Sequence, residues 1–401
     1  MKDIEDYREI VGDKTYYNLF KKARSLASKD ILNINSTAQG GGVAEILESL
    51  VILMNELGIC AGWRILHGNP DFFTITKKFH NALQGDPINL SKIKKEIYLK
   101  TNEYFSVFTH IDHDAVIIHD PQPLPLIRYY KRSQPWIWRC HIDLSHPNPE
   151  LWHYLKLFIL RYDTIIVSSE KYVSEDLPVP HKVIPPAIDP FSPKNIELTP
   201  RDIKKYCKKY KIPTDKPIIT QISRFDRAKD PEGVIKVFER VKSKIDCRLV
   251  LCGSMAADDP EGIEIYKQIV EKNRKMLEKR DIIILAIDND ILVNVLQRIS
   301  SVILQKSIKE GFGLTVTEAL WKERAVVASG VGGITLQITD GENGYLLEPF
   351  DYDGFAEKII YLLENPQQAE QIGKKGKETV REKFLITRLL TDYLDLLNEL
   401  I

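Results

Sequence analysis

The chain has 401 residues, 43% hydrophobic and 28% charged. That exceeds the roughly 250–300 residues at which a single core stops growing, so two domains are expected and a disordered chain is excluded. Lys plus Arg and Asp plus Glu both number 56, and zero net charge removes the electrostatic case for nucleic acid or an anionic membrane as main partner.

Short β-branched runs alternate with helical patterns from residue 30 onward. The expected strands of the first half are Ile31–Asn35, Ala61–Leu66, Ala115–Ile118, Pro135–Cys140 and Thr164–Val167. Those of the second half are Ile218–Ile222, Arg248–Leu251, Ile282–Leu285, Ser301–Leu304 and Ala325–Ala328. Most are continuous apolar runs, the pattern of parallel strands covered on both faces. Strand and helix in alternation read as α/β with right-handed crossovers. Between the halves, Pro185, Pro186, Pro190 and Pro193 mark an extended linker. Two doubly wound, Rossmann-like domains facing across a cleft are expected, 1–188 and 189–380, followed by terminal helices.

Cys60, Cys140, Cys207, Cys247 and Cys252 are scattered, with no Cys-x-x-Cys, which suits a reducing cytoplasm and offers no zinc cluster. The start, Met1-Lys2-Asp3-Ile4-Glu5-Asp6, is too polar for a signal peptide, and no apolar run reaches the ~18 residues of a membrane span.

In open α/β sheets ligands bind beyond the carboxyl ends of the strands. After the first strand, Gly40, Gly41 and Gly42 open a helix; they read either as a phosphate cradle or as a tight turn. His119 and Asp120 follow one strand, His141 and Asp143 another. These pairs suit sugar hydroxyls, with helix capping as the alternative. Arg224 and Lys229 follow Ile218–Ile222 and suit a diphosphate, no acidic partner being fixed by the sequence; a surface ion-pair loop is the alternative. Gly253 and Ser254 form a small-residue turn.

The sharpest segment is Lys306–Leu320. Gly311 and Gly313 make a turn before a helix starting near Leu314, whose free amides suit a phosphate or sugar oxygen. Glu310 and Glu318 suit hydroxyls at two ends of one extended ligand, with a first-turn Glu favouring the helix dipole as the alternative. Asp112-His113-Asp114 and Asp288-Asn289-Asp290 both spell Asp-x-Asp. The first lies at the wrong strand end and the second reads as an N-cap, so no protein-bound metal is expected.

The Glu310-x7-Glu318 spacing, Arg224, Lys229 and the Pro185-Pro186-Ala187-Ile188-Asp189 linker together resemble the retaining glycosyltransferases of family 4, which have the GT-B fold. The runs His119–Pro125, Trp138–Ser145 and Leu304–Gly313 resemble the branch that joins glucose from a nucleoside-diphosphate glucose (UDP- or ADP-glucose) to free glucose as α,α-trehalose. The resemblance implies residue roles. Arg224 and Lys229 hold the diphosphate, and Glu318 the ribose. Glu310 and the amides of Phe312, Gly313, Leu314 and Thr315 hold the transferred sugar and phosphate, and Gly253 and Ser254 belong to the same donor site. His141 contacts the donor sugar, while Asp120, Asp143 and Arg139 face the acceptor. Gly41 and Gly42 close over the phosphates, and the helix in 381–401 crosses back to the first domain. No cofactor is expected, and a divalent ion such as Mg acts only through the diphosphate. The expected partners are the nucleotide sugar and glucose, with no nucleic acid and no membrane, and a homodimer as the candidate assembly. The rivals are a trehalose phosphorylase or sucrose-type synthase on the same scaffold, a non-catalytic nucleotide-sugar-binding protein, and a sugar-nucleotide epimerase.

Overall fold

The computed structural model describes residues 3–38, 41–253 and 260–401. The chain forms two compact units, Met1–Ala187 with Ile386–Ile401, and Ile188–Leu385.

The first unit holds strands β1 (Asp30–Asn35), β2 (Cys60–Ile65), β3 (Ala115–His119), β4 (Trp136–Arg139), β5 (Thr164–Val167) and β6 (His181–Val183), in the order β2-β1-β3-β4-β5-β6. The second holds β7 (Ile218–Ile222), β8 (Arg248–Gly253), β9 (Ile282–Ala286), β10 (Val302–Gln305), β11 (Val326–Ser329) and β12 (Tyr345–Leu347), in the order β12-β11-β10-β7-β8-β9. Every pairing is parallel. The expected strands stand within a residue or two of their places. The additions, β6 and β12, are three-residue edge strands. At three residues each they are too short for an apolar run to stand out.

This order fixes where ligands can bind. In the first unit β1 lies between β2 and β3, so the chain winds away from β1 in both directions. In the second unit β7 lies between β8 and β10 in the same way. The loops after β1 and β3, and those after β7 and β10, therefore diverge and leave a crevice at each topological switch point.

Helices cover both sheets. Phe72 and Phe79 of helix Pro70–Leu83 and Tyr98 of helix Lys92–Phe108 pack on Leu32, Val116 and Trp138 of the first sheet. Val234 and Phe238 of helix Pro231–Lys242 pack on Ile219, Leu249 and Leu304 of the second. The C-terminal helix Ile386–Leu400 buries Leu389, Leu390, Tyr393, Leu394 and Leu397 at helical spacing and packs on helices Ile4–Ala23 and Gly42–Glu56. Its Arg388 donates to the carbonyls of Pro185 and Pro186 at 2.7 and 3.1 Å, which ties the returning helix to the end of the first unit. No helix among the described residues is long and apolar enough to cross a membrane.

Candidate active site

The second unit brings the loops after β7 and β10 together. Gln221, 1% exposed on β7, donates Nε2 to the Lys229 carbonyl at 2.8 Å and accepts from the Lys306 amide at 2.9 Å. The Ile308 amide donates to the Ala228 carbonyl at 2.7 Å. Between these ties Lys229 Nζ lies 2.6 Å from Glu310 Oε2. Glu310 Oε2 also accepts from Ser307 Oγ at 3.2 Å and Gln305 Nε2 at 3.4 Å. Arg224, 56% exposed, places Nη2 3.2 Å from Asp226 Oδ2. The sequence alone fixed no acidic partner for either cation; in the fold each has one.

The turn ahead of helix Leu314–Trp321 is built from glycine for a reason. Gly313 sits at φ 84°, the left-handed region, and serves as the N-cap. Gln337 holds this turn from beneath. It is 1% exposed, donates Nε2 to the Phe312 carbonyl at 2.6 Å and accepts from Thr317 Oγ1 at 2.7 Å. Gly333 lets the chain pass close by, since a Cβ there would lie 2.6 Å from Phe312 Cα. Thr315 Oγ1 donates to Gln305 Oε1 at 3.1 Å. The opening amides of the helix, Leu314 and Thr315, have no intrahelical carbonyl to donate to and carry the positive end of its dipole.

Glu318 lies deeper, at 2% exposure, and its Oε2 accepts from Gln297 Nε2 at 3.2 Å. Lys322 donates to the Glu318 carbonyl at 3.0 Å and to Asn195 Oδ1 at 2.9 Å, and burial takes its pKa down to about 7. Gly253 ends β8, where a Cβ would lie 1.9 Å from the Ser223 carbonyl, so only glycine lets this strand end touch the loop after β7. Ser254 lies outside the described residues, as do Gln39 and Gly40.

The first unit gathers a second set at the carboxyl ends of β3 and β4. Asp120 has φ 64°, a conformation short polar side chains tolerate, and its Oδ1 accepts from the His141 amide at 2.8 Å. Burial raises its pKa from 3.8 to about 6. His119 is 1% exposed, and its Nδ1 lies 3.1 Å from His141 Nε2. Burial, with Arg139 nearby, lowers the His119 pKa from 6.5 to about 3 and pushes His141 the same way.

Asp143 and Arg139 each also have a structural partner. Asp143 Oδ1 accepts from the Ser145 amide and hydroxyl at 2.8 and 2.6 Å, closing a turn. Arg139 is 1% exposed and donates to the Val167 carbonyl at 3.2 Å. Gly41 precedes helix Gly42–Glu56 in an extended conformation, and a Cβ on it would meet nothing within 4 Å.

The two Asp-x-Asp runs do structural work. Asp114 accepts from the Asp30 amide at 2.8 Å and from Lys29 at 2.9 Å, which joins the amino ends of β1 and β3. Asn289 caps helix Asp290–Ile299 by accepting from the Leu292 amide at 2.7 Å. Among the described residues no group of three His, Cys, Asp or Glu is placed to hold a metal ion.

The displaced pKa values of these buried groups set a signed expectation for stability. His119 is protonated near 6.5 when unfolded and near 3 when folded, so its stabilising contribution is lost as pH falls from about 6.5 to 3. His141 acts in the same sense. Asp120 opposes them, because its folded pKa of about 6 exceeds its ordinary 3.8 and its contribution is lost as pH rises through about 6. Urea midpoints should fall between pH 7 and pH 5, and Asp120→Asn should steepen that fall by removing the opposing group.

The trehalose synthase N-terminal domain family matches residues 33–174, and the glycosyl transferases group 1 family matches residues 202–379. The chain is 48% identical over 404 residues to the trehalose synthase of Thermococcus litoralis, covering 99% of this chain and 97% of that protein. It is 41% identical over 411 residues to the trehalose synthase of Rubrobacter xylanophilus, covering 100% and 97%. In fold it is similar to the UDP-forming α,α-trehalose-phosphate synthase of Burkholderia xenovorans in complex with glucose-6-phosphate, with a TM-score of 0.75 at 14% identity over 92% of this chain and all of that one. Two parallel sheets with switch-point loops and these matches define a glycosyltransferase of the GT-B fold. Within that class the chain belongs to the trehalose synthase family.

Sequence reasoning did not single out Gln221, Gln337, Gly333, Lys306 or Asn33. The first three act on backbone carbonyls or through close approach, and their position on or beside a switch-point strand signals them. Asn33 and Gln221 are polar residues inside apolar runs of their strands, the legible signal for both.

Proposed function

We propose that the protein transfers glucose from a nucleoside-diphosphate glucose to free glucose, forming α,α-trehalose reversibly and with retention of configuration. The observation that carries this reading is the pairing of Lys229 with Glu310 at the carboxyl ends of β7 and β10, with Arg224 on the same β7 loop and the opening amides of helix Leu314–Trp321 following β10. Cations and free amides there suit a departing diphosphate, and a carboxylate beside them suits sugar hydroxyls. In this reading the acceptor hydroxyl attacks from the side the diphosphate leaves, and the departing phosphate oxygen takes its proton. Lys229 and Arg224 then stabilise the developing phosphate charge, and Asp120 orients the acceptor. Glucose supplied with UDP-, ADP- or GDP-glucose should yield α,α-trehalose and the matching nucleoside diphosphate. A product formed only with glucose 1-phosphate and released phosphate would favour a phosphorylase.

Two further expectations follow from the donor site. Glu318 is assigned to the ribose and Glu310 to the transferred sugar. Glu318→Ala should therefore weaken binding of the bare nucleoside diphosphate by roughly 1.5–3 kcal/mol, the worth of a charged hydrogen bond. Glu310→Ala should lower turnover and leave that affinity nearly unchanged; calorimetric titration separates the two. Exhaustive chelation should leave most of the activity, since the cations and amides already face the diphosphate. Complete, reversible loss with a chelator would point back to Asp288 and Asp290.

A further inference from the structure

Three side chains in the first unit form a hydrogen-bonded chain that ends at a residue of the proposed site. Asn33 lies on β1 at 0% exposure, and His119 is the last residue of β3 at 1% exposure. Asn33 Nδ2 donates to the Gly62 carbonyl at 3.4 Å. Asn33 Oδ1 lies 3.1 Å from His119 Nε2, and His119 Nδ1 lies 3.1 Å from His141 Nε2.

Donor and acceptor chemistry leaves one arrangement for this chain. The Gly62 carbonyl only accepts, so the amide nitrogen of Asn33 faces it and the amide oxygen faces His119. That oxygen also only accepts, so His119 Nε2 carries the ring proton. A neutral imidazole has one N–H, so His119 Nδ1 is bare and accepts from His141 Nε2–H. His141 then has Nδ1 as its remaining ring nitrogen, and that nitrogen is an acceptor.

We propose that Asn33 and His119 are positioning residues that set His141 as its Nε2–H tautomer, so that His141 accepts a hydrogen bond from a sugar hydroxyl and cannot donate one. The identity of that hydroxyl, on the transferred glucose, rests on the function proposed above; the tautomer does not. The surroundings keep the pair neutral: His119 is enclosed in the sheet, Arg139 is the charge both rings face, and the Asp120 carboxylate is engaged by the His141 backbone amide. The device selects substrate by chemistry, since only a group with a proton to give, a hydroxyl and not a fluorine or an ether, satisfies Nδ1.

The test is a long-range proton–nitrogen spectrum of the full chain with 15N-labelled histidine at pH 7.5, assigned with His119→Gln and His141→Gln. Both rings are expected to be neutral with the proton on Nε2. A proton on His141 Nδ1, or a doubly protonated ring, overturns the proposal. Asn33→Ala removes the terminal acceptor. Both His119 tautomers should then be populated, and transfer should slow about tenfold, the worth of one hydrogen bond. Affinity for bare nucleoside diphosphate should stay constant, which a general loss of structure would not allow. Unchanged ring protons in Asn33→Ala overturn the relay. The spectrum reads the rings whatever sugar is transferred, so a wrong tautomer and a wrong reaction are told apart.

Discussion

Lys229→Ala is expected to lower turnover by about 10²–10³, which corresponds to ~2–4 kcal/mol of lost stabilisation of a leaving group. The side chain is 15% exposed and its ammonium is held in place by Glu310 at 2.6 Å, itself 12% exposed. Removing it has two effects. The diphosphate loses a cation, and the Glu310 carboxylate is left facing the phosphates without its partner. Arg224→Ala should therefore cost less, because Arg224 is 56% exposed and its partner Asp226 also caps the adjacent turn. Adding Glu310→Gln to Lys229→Ala should restore part of the donor affinity, since the repulsion is gone, and leave turnover low. Steady-state kinetics of the variants checks this order, with unfolding midpoints to separate stability from chemistry. Near-normal turnover in Lys229→Ala would sink the diphosphate assignment.

The largest expected change in stability is at Lys306. Its side chain is fully buried, its ammonium pairs with Asp230 Oδ2, and the rings of Tyr352, Phe350 and Phe355 lie 4.7, 5.7 and 5.9 Å from Nζ. Asp230 sits at φ 41° and caps helix Pro231–Lys242 by accepting from the Gly233 amide at 3.0 Å. Lys306→Met leaves that carboxylate without its counter-charge, and breaking a buried pair from one side costs about 3–5 kcal/mol. Asn is an effective N-cap, so the double variant Lys306→Met with Asp230→Asn should recover much of the loss. Denaturant unfolding of the single and double variants checks this. Equal losses in both would mean that the cap geometry, rather than the charge, is what the pair protects.

Much of the fold was legible because parallel strands buried on both faces write themselves as unbroken apolar runs. Ile218–Ile222 and Thr164–Val167 were read to the residue. The candidate loops were legible for a related reason: chemistry in these sheets sits after strands, so polar residues there stand out. Pairings were not legible. Lys229 and Glu310 are 81 positions apart, and Asn33 and His119 are 86 apart. Nothing local in a sequence says which charge meets which across two loops. Asp143 and Arg139 also have partners within the first unit that their runs do not name. The carboxylate of Asp143 is engaged by Ser145 two residues on, and Arg139 is turned to the Val167 carbonyl of the neighbouring strand.

The contact between Lys229 and Glu310 bears on how a ligand would be exchanged at the proposed donor site. The protein carries an internal counterion for its own cation, so on the function proposed above a diphosphate arriving at Lys229 would exchange one anion for another instead of neutralising a bare charge. A departing product would then leave no stranded ammonium behind. On the same reading Glu310, once displaced, would be freed for the sugar in the same event.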